Sequence, residues 1–173
     1  MQNNLSFDDI AKDILDNKKY CKLANETHHG ITRMSHSMRV ARNTYKLAKK
    51  LHLDYVAATR AALLHDFFLN EEFGSNLGWV QGIIHPNIAV HNAKGEFELS
   101  AKECNAIDAH MFPMCAPLPR YKESWLLTAV DKGVAIYEYF TFKFNYTRFT
   151  RQAASVATIA GLFLFNVLTM GRK

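Results

Sequence analysis

Cysteine is too scarce and too scattered in this chain to hold it together. Among 173 residues there are three, Cys21, Cys104 and Cys115, an odd number with no CxxC pair. A disulfide scaffold and a CxxC zinc site are therefore excluded. An apolar leader is also missing: MQNNLSFDDIAKDILD is polar and acidic, so no secretory signal is read and a reducing cytoplasm is the expected compartment. No run alternates apolar and polar residues with β-branched enrichment, which argues against strands. Neither GxSxG nor a P-loop occurs, so a serine nucleophile elbow and a phosphate-cradling glycine loop are not expected. Acid is missing from the last stretch, since all 16 acidic residues lie at or before Glu138. The 16 basic residues up to that point balance them, and Lys143, Arg148, Arg151, Arg172 and Lys173 carry the whole net charge of +5. The body is neutral, so the basic pI is no mark of a nucleic-acid-binding surface, and no nucleic-acid partner is expected.

What is present is apolar and helical. With 49% hydrophobic and 21% charged residues, the chain lies far from disordered compositions, and a chain of this length buries about 70% of its surface on folding. Ser6 and Asp9 form a capping box opening a helix to about Asn17. Met34, Met38, Ala41, Tyr45, Ala48 and Leu51 recur every three or four residues and predict a helix over about 32–51. Asp54 caps an Ala-rich helix expected to run from Tyr55 to about Phe68. Gly74, Gly78 and Gly82 then predict a loop over 70–84, with Pro86 in the first turn of a short helix and His85 at its mouth. Ser100 and Glu103 form a second capping box, opening a helix to about His110. Three prolines make 111–120 a rigid loop. Helices over about 122–140 and 152–170 complete an all-α, single-domain reading of residues 1–173.

The chemistry is carried by histidines and aspartates. Of eight histidines, His28, His29 and His52 lie in polar, loop-like or helix-end settings and read as surface. His36, His65, His85 and His110, with Asp66 and Asp131, fall on or at the ends of predicted helices, several among apolar neighbours. Asp131 stands inside LLTAVDKGVAIYE, where a buried carboxylate without a partner costs several kcal/mol. Helices that project these groups to one point satisfy them mutually around a metal. Imidazole and carboxylate donors without thiolate suit iron or manganese best, with zinc and magnesium as the other candidates.

The order His36, then His65-Asp66, then Asp131, set in SHSMRVAR, AALLHDFF and AVDK, resembles the H…HD…D signature of the HD-domain superfamily of metal-dependent phosphohydrolases. The resemblance covers about residues 30–140 and implies an all-helical core. His85 and His110 look like the additional pair found in members that hold two metals, an arrangement similar to that of HD-type hydrolases of diadenosine tetraphosphate. The resemblance implies that His36, His65, Asp66 and Asp131 bind one metal and that Asp66 bridges to a second held by His85 and His110. His91 competes with His85 for the third histidine position.

The sequence departs from two relatives of that superfamily. HD is followed by FFLNEEF, without the lysine or GYP of the cyclic-dinucleotide phosphodiesterases, and Glu71 and Glu72 come too late for the HDxxED of guanosine tetraphosphate hydrolases. A two-metal site activates water without a protein nucleophile. The expected activity is thus hydrolysis of a phosphate ester or anhydride of a small metabolite, a nucleotide, with Arg39 and Lys132 as phosphate clamps and Arg33 as a weaker third. The alternatives are an HD-type di-iron oxygenase and a non-catalytic, metal-stabilised partner-binding protein. Residues 152–171 hold no charge between basic flanks. That length just reaches a membrane span, but Ser155, Thr158, Asn166 and Thr169 form a polar stripe, favouring a helix packed on the domain or on a second subunit. Weak membrane-surface contact through the basic flanks is the other reading.

Overall fold

The computed structural model describes residues 4–28, 30–73, 79–115 and 117–143. Their helices are α1 (Phe7–Leu15), α2 (Lys18–Cys21), α3 (Arg33–Lys50), α4 (Tyr55–Leu64), α5 (Trp79–Glu96) and α6 (Ala101–Ala109), followed by α7, helical over 122–143. The one extended piece among them is a two-residue antiparallel ladder that pairs Thr27 with Thr32 and His28 with Ile31, and it turns at Gly30, whose φ of 87° suits glycine. The fold is all-α. The chain divides into two compact units, Met1–Ala135 and Ile136–Lys173. The helix expected over 152–170, its packing on the rest of a single domain and the basic flanks of the tail lie outside the described residues. No helix among the described residues is long and apolar enough to cross a membrane.

α4 is the central helix of the first unit. Eight of its ten residues are buried, so it cannot present a polar face to water and must be surrounded. α3, α6, α1 and α5 pack around it. Its Ala57, Ala58, Ala61 and Ala62 keep the surface thin where these neighbours approach, while Ile14, Leu23, Val40, Leu63, Leu64, Ile107 and Leu127 fill the core between helices. Tyr20 is fully buried and donates its hydroxyl to the Leu63 carbonyl at 3.0 Å, which satisfies a polar group at the C-terminal end of α4.

The caps form as the sequence predicts. Ser6–Asp9 and Ser100–Glu103 are reciprocal capping boxes, Thr32 accepts from the Ser35 amide, and Asp54 accepts from the Ala57 amide. Two expectations are corrected. The helix from Tyr55 ends at Leu64 rather than near Phe68, because the backbone turns at His65-Asp66: the Phe67 amide donates to Leu64 and the Phe68 amide to Asp66. The loop expected over 70–84 is shorter, since Asn70–Phe73 forms a 3₁₀ turn and α5 already begins at Trp79. Pro86 therefore lies inside α5 instead of in its first turn, and His85 stands in the second turn instead of at the helix mouth. Burial of His85, Ala89 and Ala93 on the inner face of the helix outweighs the glycine signal there.

Candidate metal centre

Five helices and their ends deliver six side chains to one place in the first unit. His36 comes from the first turns of α3, His65 caps the C-terminus of α4 with Asp66 next in chain, His85 comes from α5, His110 caps the C-terminus of α6, and Asp131 comes from α7. The imidazoles form a chain, with ring centroids 5.4 Å apart for His36–His65 and 4.9 Å apart for both His65–His110 and His110–His85. Asp131 Oδ1 lies 3.0 Å from His36 Nε2 and 3.4 Å from His65 Nε2. Asp66 reaches both ways along the chain: Oδ2 lies 3.8 Å from His65 Nε2, and Oδ1 lies 3.4 Å from His85 Nε2 and 3.9 Å from His110 Nε2.

Backbone chemistry decides which nitrogen of each ring faces inward. Carbonyls in the last turn of a helix lack intrahelical donors. His65 Nδ1 donates to the Ala62 carbonyl at 2.8 Å and His110 Nδ1 to the Ile107 carbonyl at 2.7 Å, both three residues back. His85 Nδ1 donates to the Gln81 carbonyl at 2.9 Å. A carbonyl only accepts, so each Nδ1 carries a proton and each ring turns its Nε2 to the centre.

The consequence is an excess of acceptors. His85 Nε2 and His110 Nε2 face each other at 2.9 Å, and the neutral His110 ring brings a lone pair to that contact. His65 Nε2 is buried without any hydrogen-bond donor, opposite carboxylate oxygens that also only accept. A cation resolves every one of these contacts at once. Two overlapping sets of ligand atoms are close enough to hold one, His36 with His65 and Asp131, and His65 with Asp66 and His110. The donor set of imidazole nitrogens and carboxylate oxygens fits a divalent transition metal. The C-termini of α4 and α6 both end at this centre, and their partial negative charge favours a cation there.

The electrostatics agree. Burial pushes Asp66 and Asp131 up, yet the surrounding imidazoles hold both carboxyls below their ordinary range. Burial and the neighbouring His65 push His110 down to about 4, so its ring is neutral at pH 7 and its lone pair is available. His65 is held above its ordinary value: burial opposes its charged form, but the Asp66 and Asp131 carboxylates outweigh that. These shifts arise wherever buried acceptors are gathered for a positive charge.

The remaining sequence candidates fall around this centre. His91 is exposed on α5, and His52 is exposed just beyond α3 with φ 54°. Arg39 is exposed on α3. The Lys132 ammonium donates to the His110 carbonyl at 2.9 Å, and Thr128 Oγ1 reaches the Ala109 carbonyl at 3.4 Å, so α7 ties down the end of α6. Arg33 is 3% exposed and lies over the Phe68 ring, bonded to Glu26, the Phe68 carbonyl and Asn70. Its guanidinium is spent on holding the segment after Asp66, which corrects its reading as a phosphate clamp. Sequence reasoning also missed Asn92 and Glu72, which brace that same segment from α5 and the 3₁₀ turn. The signal for Asn92 was its spacing of seven from His85, which places both on one helix face.

A helical bundle whose core gathers imidazoles and carboxylates from five chain positions has the donor set of a metal centre. Comparison with protein families matches residues 33–135, more than half of the chain, to the HD domain. The chain belongs to the HD-domain family, a superfamily of metal-dependent phosphohydrolases that bind divalent metals. No curated protein and no solved structure matches it significantly.

Proposed function

We propose that this protein is a two-metal phosphohydrolase that cleaves a phosphate ester or anhydride of a small metabolite, a nucleotide, with water as the nucleophile. The observation that carries the reading is the pair His85 Nε2 and His110 Nε2, 2.9 Å apart, each with its Nδ1 proton committed to a backbone carbonyl. Together with Asp66 they form a second set of donors beside His36, His65 and Asp131. On this reading His36, His65, Asp66 and Asp131 hold one metal, and Asp66, His85 and His110 hold the other. Divalent ions held there supply Lewis acidity for phosphoryl transfer to water at neutral pH.

The chain's own groups do the rest. The backbone-bonded Nδ1 protons aim the Nε2 atoms of three imidazoles inward, so the donors do not have to reorganise when a metal binds. The carboxylates, held ionised, balance the metal charge and leave the centre attractive to a single phosphate rather than repelling it. Lys132, half-buried and anchored on the His110 carbonyl, has two further N–H groups to offer a phosphate oxygen; Arg39, on the helix of His36, is the second candidate clamp. Iron or manganese fits the mixed nitrogen and oxygen donors best.

The test is elemental analysis of protein purified without chelator, followed by a phosphate-release screen across nucleotides and simple phosphate esters under an oxygen electrode. Two transition metals per chain and phosphate release without oxygen uptake are the expected result. Oxygen consumption coupled to turnover would instead identify a di-iron oxygenase, and metal retention with no turnover on any ester would leave a structural metal in a binding protein.

A further inference from the structure

The segment Phe67–Leu69, directly after His65-Asp66, is neither helix nor strand, and its buried backbone groups must be satisfied from elsewhere. The Phe67 carbonyl accepts from Asn92 Nδ2 at 3.0 Å, the Phe68 carbonyl from Arg33 Nη1 at 3.3 Å, and the Leu69 amide donates to Glu72 Oε2 at 2.7 Å. Asn92, 6% exposed, is the hub. Its amide also donates to Glu72 Oε2 at 2.9 Å, and its oxygen accepts from Lys19 Nζ at 2.8 Å, while Lys19 pairs with Glu72 at 3.4 Å. The ring Asn92–Glu72–Lys19 is closed.

Asn92 is seven residues after His85 on α5, so the two share a face about 10.5 Å apart along the axis. At the other end of the clamp, Phe67 is bonded covalently to Asp66. The distance from His85 Nε2 to Asp66 Oδ1, 3.4 Å, is thus set by how α5 is held against Phe67. We infer that Asn92 is a positioning residue whose clamp on the Phe67 carbonyl holds His85 in register with Asp66 and so completes the second metal position. The inference rests on the two-metal reading above. Asn92 touches neither metal nor substrate, and the first metal keeps His36, His65 and Asp131, so its loss falls more heavily on the second metal than on the first.

The test is titration of the metal-stripped full-length chain with Mn²⁺, following affinity by calorimetry and the spin-coupled signal of a manganese pair by electron paramagnetic resonance. Asn92→Ala is expected to bind the first Mn²⁺ as the wild type does and the second about 10- to 100-fold more weakly, the usual cost of losing a group that orients a ligand. The coupled signal should give way to that of isolated Mn²⁺ at the same loading. Glu72→Gln, which keeps the side-chain volume, should shift the second affinity in the same direction by less, and it decides the matter if Asn92→Ala does not fold. Ile14→Ala, a cavity in α1 of the same core, should lower stability and leave both affinities in place. Wild-type affinities in Asn92→Ala would overturn the inference alone. So would equal loss of both metals in Asn92→Ala and Ile14→Ala. A wild type that binds a single Mn²⁺ overturns the inference together with the two-metal reading.

Discussion

Replacing Asp66 with alanine separates a metal centre from a merely buried polar cluster. Its oxygens lie 3.4–3.9 Å from the inward nitrogens of His65, His85 and His110, so on the two-metal reading its loss leaves both positions short of a ligand. A metal that binds only the folded state stabilises it by about 2.7 kcal/mol per site at 100 times Kd. For a chain of this size each kcal/mol moves the melting temperature by about 2–4 °C, so one filled site is worth about 5–11 °C. Wild-type protein should show at least that rise on addition of Mn²⁺, and Asp66→Ala should show almost none. Without metal Asp66→Ala should melt below the wild type, because the fold holds this carboxyl below its ordinary range and its ionised form therefore stabilises the folded state at neutral pH. Scanning calorimetry with and without Mn²⁺ reads both quantities, and elemental analysis of the same samples gives occupancy. A metal-induced rise in Asp66→Ala equal to that of the wild type would refute the ligand set.

Three further outcomes are expected. His85→Ala and His110→Ala should each bring occupancy toward one metal per chain, while His91→Ala, altering an exposed residue of α5, should leave occupancy and turnover unchanged; metal analysis and initial rates check this. Glu123 accepts from the Asp54 amide and Lys102; burial pushes its carboxyl up, but these donors hold it below the ordinary range. Its stabilisation is complete above the unfolded value of about 4.3 and is lost as pH falls through the lower folded one, so Glu123→Gln should cost about 1–2 kcal/mol at pH 7 and progressively less in acid, as read by urea unfolding across that range. Gly133→Ala should raise stability by about 0.5–1 kcal/mol in the same assay, because Gly133 sits within α7, where an added Cβ meets nothing within 4 Å.

The inward-facing lone pairs depend on a feature of helix ends. His65 and His110 occupy the C-cap positions of α4 and α6, where unsatisfied carbonyls await donors. The ring that satisfies such a carbonyl through Nδ1 is forced to present Nε2 as an acceptor. Placement at the helix end therefore fixes tautomer, direction and field together, which a histidine on a loop would need separate partners to achieve.

Local signals were sufficient for much of the fold. Ser6, Asp54 and Ser100 announced helix starts because a cap is a contact between a side chain and an amide two or three residues away. The helical periodicity of α3 and the apolar run around Asp131 were likewise local, and the demand of a carboxylate buried among them for a cation followed from residue type alone. The start of α5 was misread because three glycines outvote an apolar pattern in sequence, whereas in the fold the helix gains burial against α4 and α6 that the glycines cannot offset. Tertiary structure alone decided which histidine of α5 turns inward, since His85 and His91 are both consistent with the chemistry and only the rotation of α5 on the core separates them. It also turned Arg33 from a candidate ligand for phosphate into a buried brace and gave Asn92 its partners. The nonhelical carbonyls of Phe67 and Phe68 take their hydrogen bonds from residues 25 and 35 positions away, and no local pattern encodes that pairing.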